Sequence, residues 1–159
     1  MNVINEILAF TIENASGQAV LFSEFTGNPL CDYQGPTVRH TWQVDGMSYE
    51  RLNSRNGYLR MTPDASGFLL CEQEERSDNL VLLNAYGQER MRLTLPWQLT
   101  RSPTLEDAKY PSHFLGLTTP WDNTRTGEKG NFAVLAWMQC AGDYAFELDW
   151  RTGRFLWGY

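Results

Sequence analysis

The 159-residue sequence is poor in the residues that build reactive centres. It holds two histidines, His40 and His113, and three cysteines, Cys31, Cys71 and Cys140. None stands in a CxxC, HxH or HExxH spacing, which removes the local ligand sets from which zinc sites are assembled. Widely separated cysteines in odd number exclude a disulfide framework and fit buried thiols in a reducing compartment. There is no GxSxG elbow, no cysteine placed beside a histidine, no P-loop and no GxGxxG after a strand. No metal, no cofactor and no enzymatic activity are therefore expected.

Basic residues are also in deficit. Lys and Arg number 13 against 19 Asp and Glu, for a formal charge of −6. Nucleic-acid binding needs a basic stripe that releases counterions, so nucleic acid is not an expected partner, and "GEKG" at Gly127 to Gly130 matches the loop of KH domains in letters only. No apolar run is long enough to span a bilayer. The stretch "MNVINEILAFTIENASG" has neither a basic flank nor a small-residue cleavage site, so no signal peptide is read and a cytoplasmic location is expected.

What the sequence has in abundance is aromatic side chains, 13% of residues with six Trp. Such side chains suit the pleated, half-buried surface of a sheet. A turn signal recurs between β-prone runs: "NASG" at Asn14 to Gly17, "DASG" at Asp64 to Gly67, "NAYG" at Asn84 to Gly87, and a longer "DWRTG" at Asp149 to Gly153. Asn or Asp can bond to backbone two residues on while Gly accepts positive φ, the chemistry of a type I turn with a bulge. Asp45-Gly46 and Asn56-Gly57 are pairs favoured in two-residue hairpins.

The intervals predict strands near 4–13, 18–25, 38–44, 47–53, 57–62, 67–74, 79–84, 88–95, 113–118, 131–140, 143–149 and 154–158. Leu8, Phe10 and Ile12 alternate onto one face, as do Met91, Leu93 and Leu95, and Tyr144, Phe146 and Leu148 continued by Phe155 and Trp157. The expectation is one all-β domain over 1–159, an antiparallel meander of hairpins closing as a sandwich, a partial barrel or a strongly twisted sheet, each sheet with one buried face. The segment 96–130 carries Pro96, Pro103, Pro111 and Pro120. It reads as a long connection that either binds something or covers a sheet edge, with a helical turn possible at Thr104 to Ala108.

Carboxylates cluster in "CEQEERSDN", where Glu72, Glu74, Glu75 and Asp78 surround a predicted hairpin tip. This is either a solvated turn that discourages edge pairing or an acidic epitope that steers a basic protein partner. Glu106, Asp107 and Trp121 in the long segment extend the candidate binding set. Two other readings stand beside it. A carbohydrate-binding or carbohydrate-active module would use Trp97, Trp121 and Trp137 as stacking platforms, and a barrel would hold a small apolar ligand in its mouth.

A small, acidic, aromatic-rich β chain without a catalytic motif resembles the immunity proteins of bacterial polymorphic toxin systems. "LLNAYGQERMRL" at Leu82 to Leu93 and "ELDWRTGRFLWG" at Glu147 to Gly158 also look like β-propeller hairpins or the YD repeats of Rhs proteins, though without the YD pair and with irregular spacing. The immunity resemblance implies a non-catalytic protein that covers a cognate toxin with a preformed β surface, its carboxylates standing in for phosphates if that toxin is a nuclease.

Overall fold

The computed structural model describes residues 6–22, 36–53, 57–99, 112–118, 132–138 and 142–158. Within them the chain forms strands β1 (Leu8–Asn14), β2 (Ala19–Leu21), β3 (Thr37–Val44), β4 (Met47–Leu52), β5 (Tyr58–Met61), β6 (Gly67–Cys71), β7 (Leu80–Asn84), β8 (Glu89–Leu93), β9 (His113–Thr118), β10 (Phe132–Met138), β11 (Gly142–Asp149) and β12 (Arg154–Gly158). They pair antiparallel in three sheets: an N-terminal sheet ordered β2-β1-β3-β4, a central sheet β5-β6-β7-β8 and a C-terminal sheet β12-β11-β10-β9. The fold is all-β as the sequence implies, and none of the sheets closes into a barrel.

The central sheet is covered on both faces. Leu69, Cys71, Leu80 and Leu82 face a core shared with Phe114, Val134, Met138, Phe146 and Leu148 of the C-terminal sheet. Their strand neighbours Phe68, Leu70, Val81 and Leu83 face a second core shared with Phe10, Trp42 and Val44 of the N-terminal sheet. This explains why β6 reads GFLLC and β7 reads LVLLN without polar alternation: a strand with two buried faces has no solvent side to mark. The expectation of one buried face per sheet is corrected here. Each fully buried Leu or Phe in these layers contributes about 1.5–3 kcal/mol relative to exposure.

The turns show how local chemistry sets the hairpins. In "NASG" and "NAYG" the same bonds recur: Asn14 Oδ1 accepts the N–H groups of Ser16 and Gln18, and Asn84 Oδ1 those of Tyr86 and Gln88. In each loop the Gly N–H donates to the Asn carbonyl, with Gly17 and Gly87 at φ 84° and 78°. The shared fifth residue, Gln18 or Gln88, accepts from the Asn Nδ2, so the repeated unit is N-A-x-G-Q. "DASG" differs: the positive φ falls on Ala65, at 59°, and Gly67 is needed because an added Cβ would collide with the Leu83 carbonyl. Asp45-Gly46 forms the expected two-residue turn with both residues at positive φ.

Two expectations fail for identifiable reasons. Asn56-Gly57 does not join a hairpin, because the flanking β4 and β5 belong to different sheets; Asn56 itself lies outside the described residues. Leu8 does not share the face of Phe10. Ala9, at φ 53°, introduces a bulge between Leu8 and Thr11, which leaves Leu8 54% exposed and buries Ile7 instead.

The aromatic tail has a packing role. Tyr144, Phe146 and Leu148 are buried in the core between central and C-terminal sheets, and Phe155 packs against it. The Trp157 side chain, most of the 96–130 segment, and the possible helical turn at 104–108 lie outside the described residues.

Candidate partner-binding surface

The acidic hairpin joins the Cys71 end of β6 to the Leu80 end of β7, so its base is fixed by the most buried strands. Asn79, fully buried, locks that base. The Glu72 N–H donates to the Asn79 carbonyl at 2.8 Å, while Asn79 Nδ2 donates to the Glu72 and Phe114 carbonyls and Oδ1 accepts the Phe114 N–H, each at 2.8 Å. The tip is tied back as well, since the Leu95 N–H donates to the Ser77 carbonyl.

The carboxylates are not an open acidic patch. Arg76 lies among three of them, within 3.3 Å of Glu72, 3.1 Å of Glu74 and 3.6 Å of Asp78. Arg92, reaching over from β8, donates to Glu72 Oε1 at 2.6 Å and to the Asp78 carbonyl at 2.9 Å, and pairs with Glu89 at 3.0 Å. The hydrogen bond to Glu72 is the main cause that holds the Arg92 guanidinium above its ordinary pKa. Glu75 is exposed and joins none of these pairs, so it is the carboxylate of the hairpin most available to a partner. A cleft of about 100 Å³, lined in part by Arg51, Leu52, Gln73 and Glu74, runs beside the tip, and Leu52 there is 65% exposed.

Glu72, Glu74, Glu75 and Asp78 are thus brought together on one braced hairpin. Glu106, Asp107 and Trp121 lie outside the described residues. Sequence reading missed Arg76 and Arg92 as neutralising members; Arg76 was visible in the segment, whereas Arg92 enters only through the register that sets it opposite Val81.

Other chemistry is muted. Among the described residues no group of three or more His, Cys, Asp or Glu is arranged to hold a metal ion. Burial, with the nearby Glu72 charge, pushes the Cys71 thiol up to about 12, which leaves it protonated and unreactive at neutral pH. His40 is buried on the inner face of β3, stacked on Phe10; desolvation and then the Arg51 charge lower its pKa to about 4, so it is a neutral core residue. Trp42 and Trp150 are buried, Trp97 packs against the core and Trp137 is half-buried, so the described residues present no exposed row of Trp for a sugar. Cys31, Cys140 and Trp121 lie outside the described residues.

No family model matches the sequence, and no curated protein matches it significantly. Among solved structures, the fold is similar to a chain in the structure of Tne2 in complex with Tni2, with a TM-score of 0.72 at 14% identity over 96% of this chain and 97% of that one.

Proposed function

We propose that the protein is a non-enzymatic binding protein that acts in the bacterial cytoplasm as the immunity partner of a cognate toxin. The observation that carries this reading is the braced acidic hairpin: a surface held by buried Asn79 and by two arginines needs little ordering when it docks, and ordering is a main cost of association. Its uncompensated charge, led by exposed Glu75, favours a basic partner and speeds encounter with it. A toxin that binds nucleic acid would offer a basic cleft of that kind. The similarity in fold to a chain that is held in a complex of two proteins supports the same direction.

The test is co-expression with toxin candidates encoded beside the gene. Protection of growth and a co-eluting complex are expected, both weakened at least tenfold by Glu75→Lys combined with Glu74→Lys. Failure to form a complex with any adjacent toxin overturns the reading.

A further inference from the structure

Three of the turn motifs that recur in the sequence converge on one cleft. The "DASG" turn contributes Asp64 and Ser66, the "NAYG" turn contributes Asn84, and the "DWRTG" turn contributes Trp150 and Arg151, with Arg90 of β8 completing the wall; the cleft encloses about 290 Å³. It lies at the Gly67 and Asn84 end of β6 and β7, opposite the acidic hairpin that joins their other ends, about 15 Å away at 3.3 Å per strand residue. Nothing in the partner-binding reading uses it.

Its electrostatics run against the rest of the molecule. In a chain of net charge −6, this lining carries two guanidinium groups and one carboxylate, whereas the clefts beside Glu50 and beside Glu72 and Glu74 each carry one negative charge more than positive. Neither guanidinium is bonded to a carboxylate among the described residues. Arg90 donates from Nη2 to the Trp150 carbonyl at 2.8 Å and from Nη1 toward the Arg151 carbonyl at 3.4 Å, which fixes its plane without neutralising it. Arg151 lies over the Trp150 ring, its guanidinium carbon 4.6 Å from the ring centroid.

The second observation is an orphan donor. Trp150 is 4% exposed and its indole Nε1 has no hydrogen-bond partner among the described residues. A buried N–H left unpaired costs about 1–3 kcal/mol, and native structures rarely tolerate one without a reason. Trp150 lines the cleft and carries Arg151 over its ring, so its indole N–H reports on what the two guanidinium groups bind.

We propose that this three-turn cleft binds a single carboxylate group, held by the Arg90 and Arg151 guanidinium groups beside the Trp150 indole. The guanidinium fork matches the two oxygens of a carboxylate. Asp64 selects a singly charged ligand over a multiply charged one. Partial desolvation pushes its carboxyl up, but hydrogen bonds from Ser66 and Thr62 and the charge of Arg151 outweigh this and keep it ionised, so the net charge of the lining is one positive. A doubly charged phosphate would face that carboxylate at a disadvantage.

The experiment follows the Trp150 indole N–H signal in a ¹H–¹⁵N spectrum, identified by its loss in Trp150→Phe. Two singly charged probes are titrated at constant ionic strength: N-acetylglycine, which presents a chain-terminal carboxylate, and N-acetylglutamate α-amide, which presents a side-chain carboxylate. The expected result is a saturable shift of that signal with at least one probe, weakened at least tenfold in Arg151→Gln, whose exposed side chain leaves the fold intact, and likewise in Arg90→Gln. The tighter probe identifies whether a terminus or a side chain is the natural source. A shift that does not saturate, that persists in Arg151→Gln, or that inorganic phosphate produces at lower concentration than either carboxylate overturns the proposal.

Discussion

The Asn79 carboxamide pairs with the backbone of Phe114 as a strand neighbour would, accepting its N–H and donating to its carbonyl, both at 2.8 Å. One side chain at the base of the β6–β7 hairpin thereby extends the hydrogen bonding of β9 in the C-terminal sheet. Asn79→Ala removes both bonds and the one to the Glu72 carbonyl, leaving buried backbone groups unsatisfied. A loss of about 3 kcal/mol is expected, read as a lower urea midpoint. Asn79→Asp, which cannot donate and buries a charge, costs at least as much.

His40 makes stability depend on pH. Its pKa falls from 6.5 to about 4 on folding, so the unfolded chain binds a proton that the folded chain refuses. The stabilisation is complete above pH 6.5 and is lost as pH falls toward 4, amounting to about 3 kcal/mol at 1.36 kcal/mol per pH unit. Phe in its place keeps the stacking on Phe10 and abolishes this share of the acid sensitivity; urea midpoints of His40→Phe and the parent at pH 7 and 4.5 measure the difference.

Gly67 and Gly17 separate two reasons for a glycine. Ala at Gly67 drives a methyl into the Leu83 carbonyl inside the central ladder, and a loss of about 2–3 kcal/mol is expected. Ala at Gly17 meets no atom within 4 Å and suffers only from its φ of 84°, at about 1 kcal/mol. Thermal melts of the two variants should rank them in that order.

The acidic hairpin divides into bracing and presenting carboxylates. Glu72→Gln removes the charge from the 2.6 Å contact with Arg92 and should lower stability by about 1 kcal/mol, with a coupling of similar size in a double-mutant cycle with Arg92→Met. Glu75→Lys breaks none of the hairpin's ion pairs and should leave the urea midpoint within about 0.5 kcal/mol while changing partner affinity. Equal destabilisation by both variants would remove the distinction.

The positions of the strands were legible because turn chemistry and β-prone runs are local signals. Asn14, Asp45, Asn84 and Asp149 mark turns whose geometry is decided within five residues. Layering was not legible, because FLLC and LVLL have the same pattern whether one core or two receives them. The Ala9 bulge left no mark in composition, and neither did the crossing from β4 to β5 that made Asn56-Gly57 a false hairpin. At the candidate surface the carboxylates were plain in the sequence, but their neutralisation required Arg92, twenty residues from Glu72 and placed by register. The cleft of three turns was invisible for the same reason: each motif was seen separately, and only packing of the Asp149–Gly153 turn against Met91 brings them together.

The layers also follow the order of synthesis. As the chain emerges, the N-terminal sheet can shield one side of the β6–β7 hairpin, while the other side, with Leu69, Leu80 and Leu82, has no cover until residues 113–158 arrive. A nascent or truncated chain ending before β9 therefore displays a continuous greasy hairpin to its neighbours, and the last third of the sequence serves as the lid that keeps newly made copies from sticking to one another.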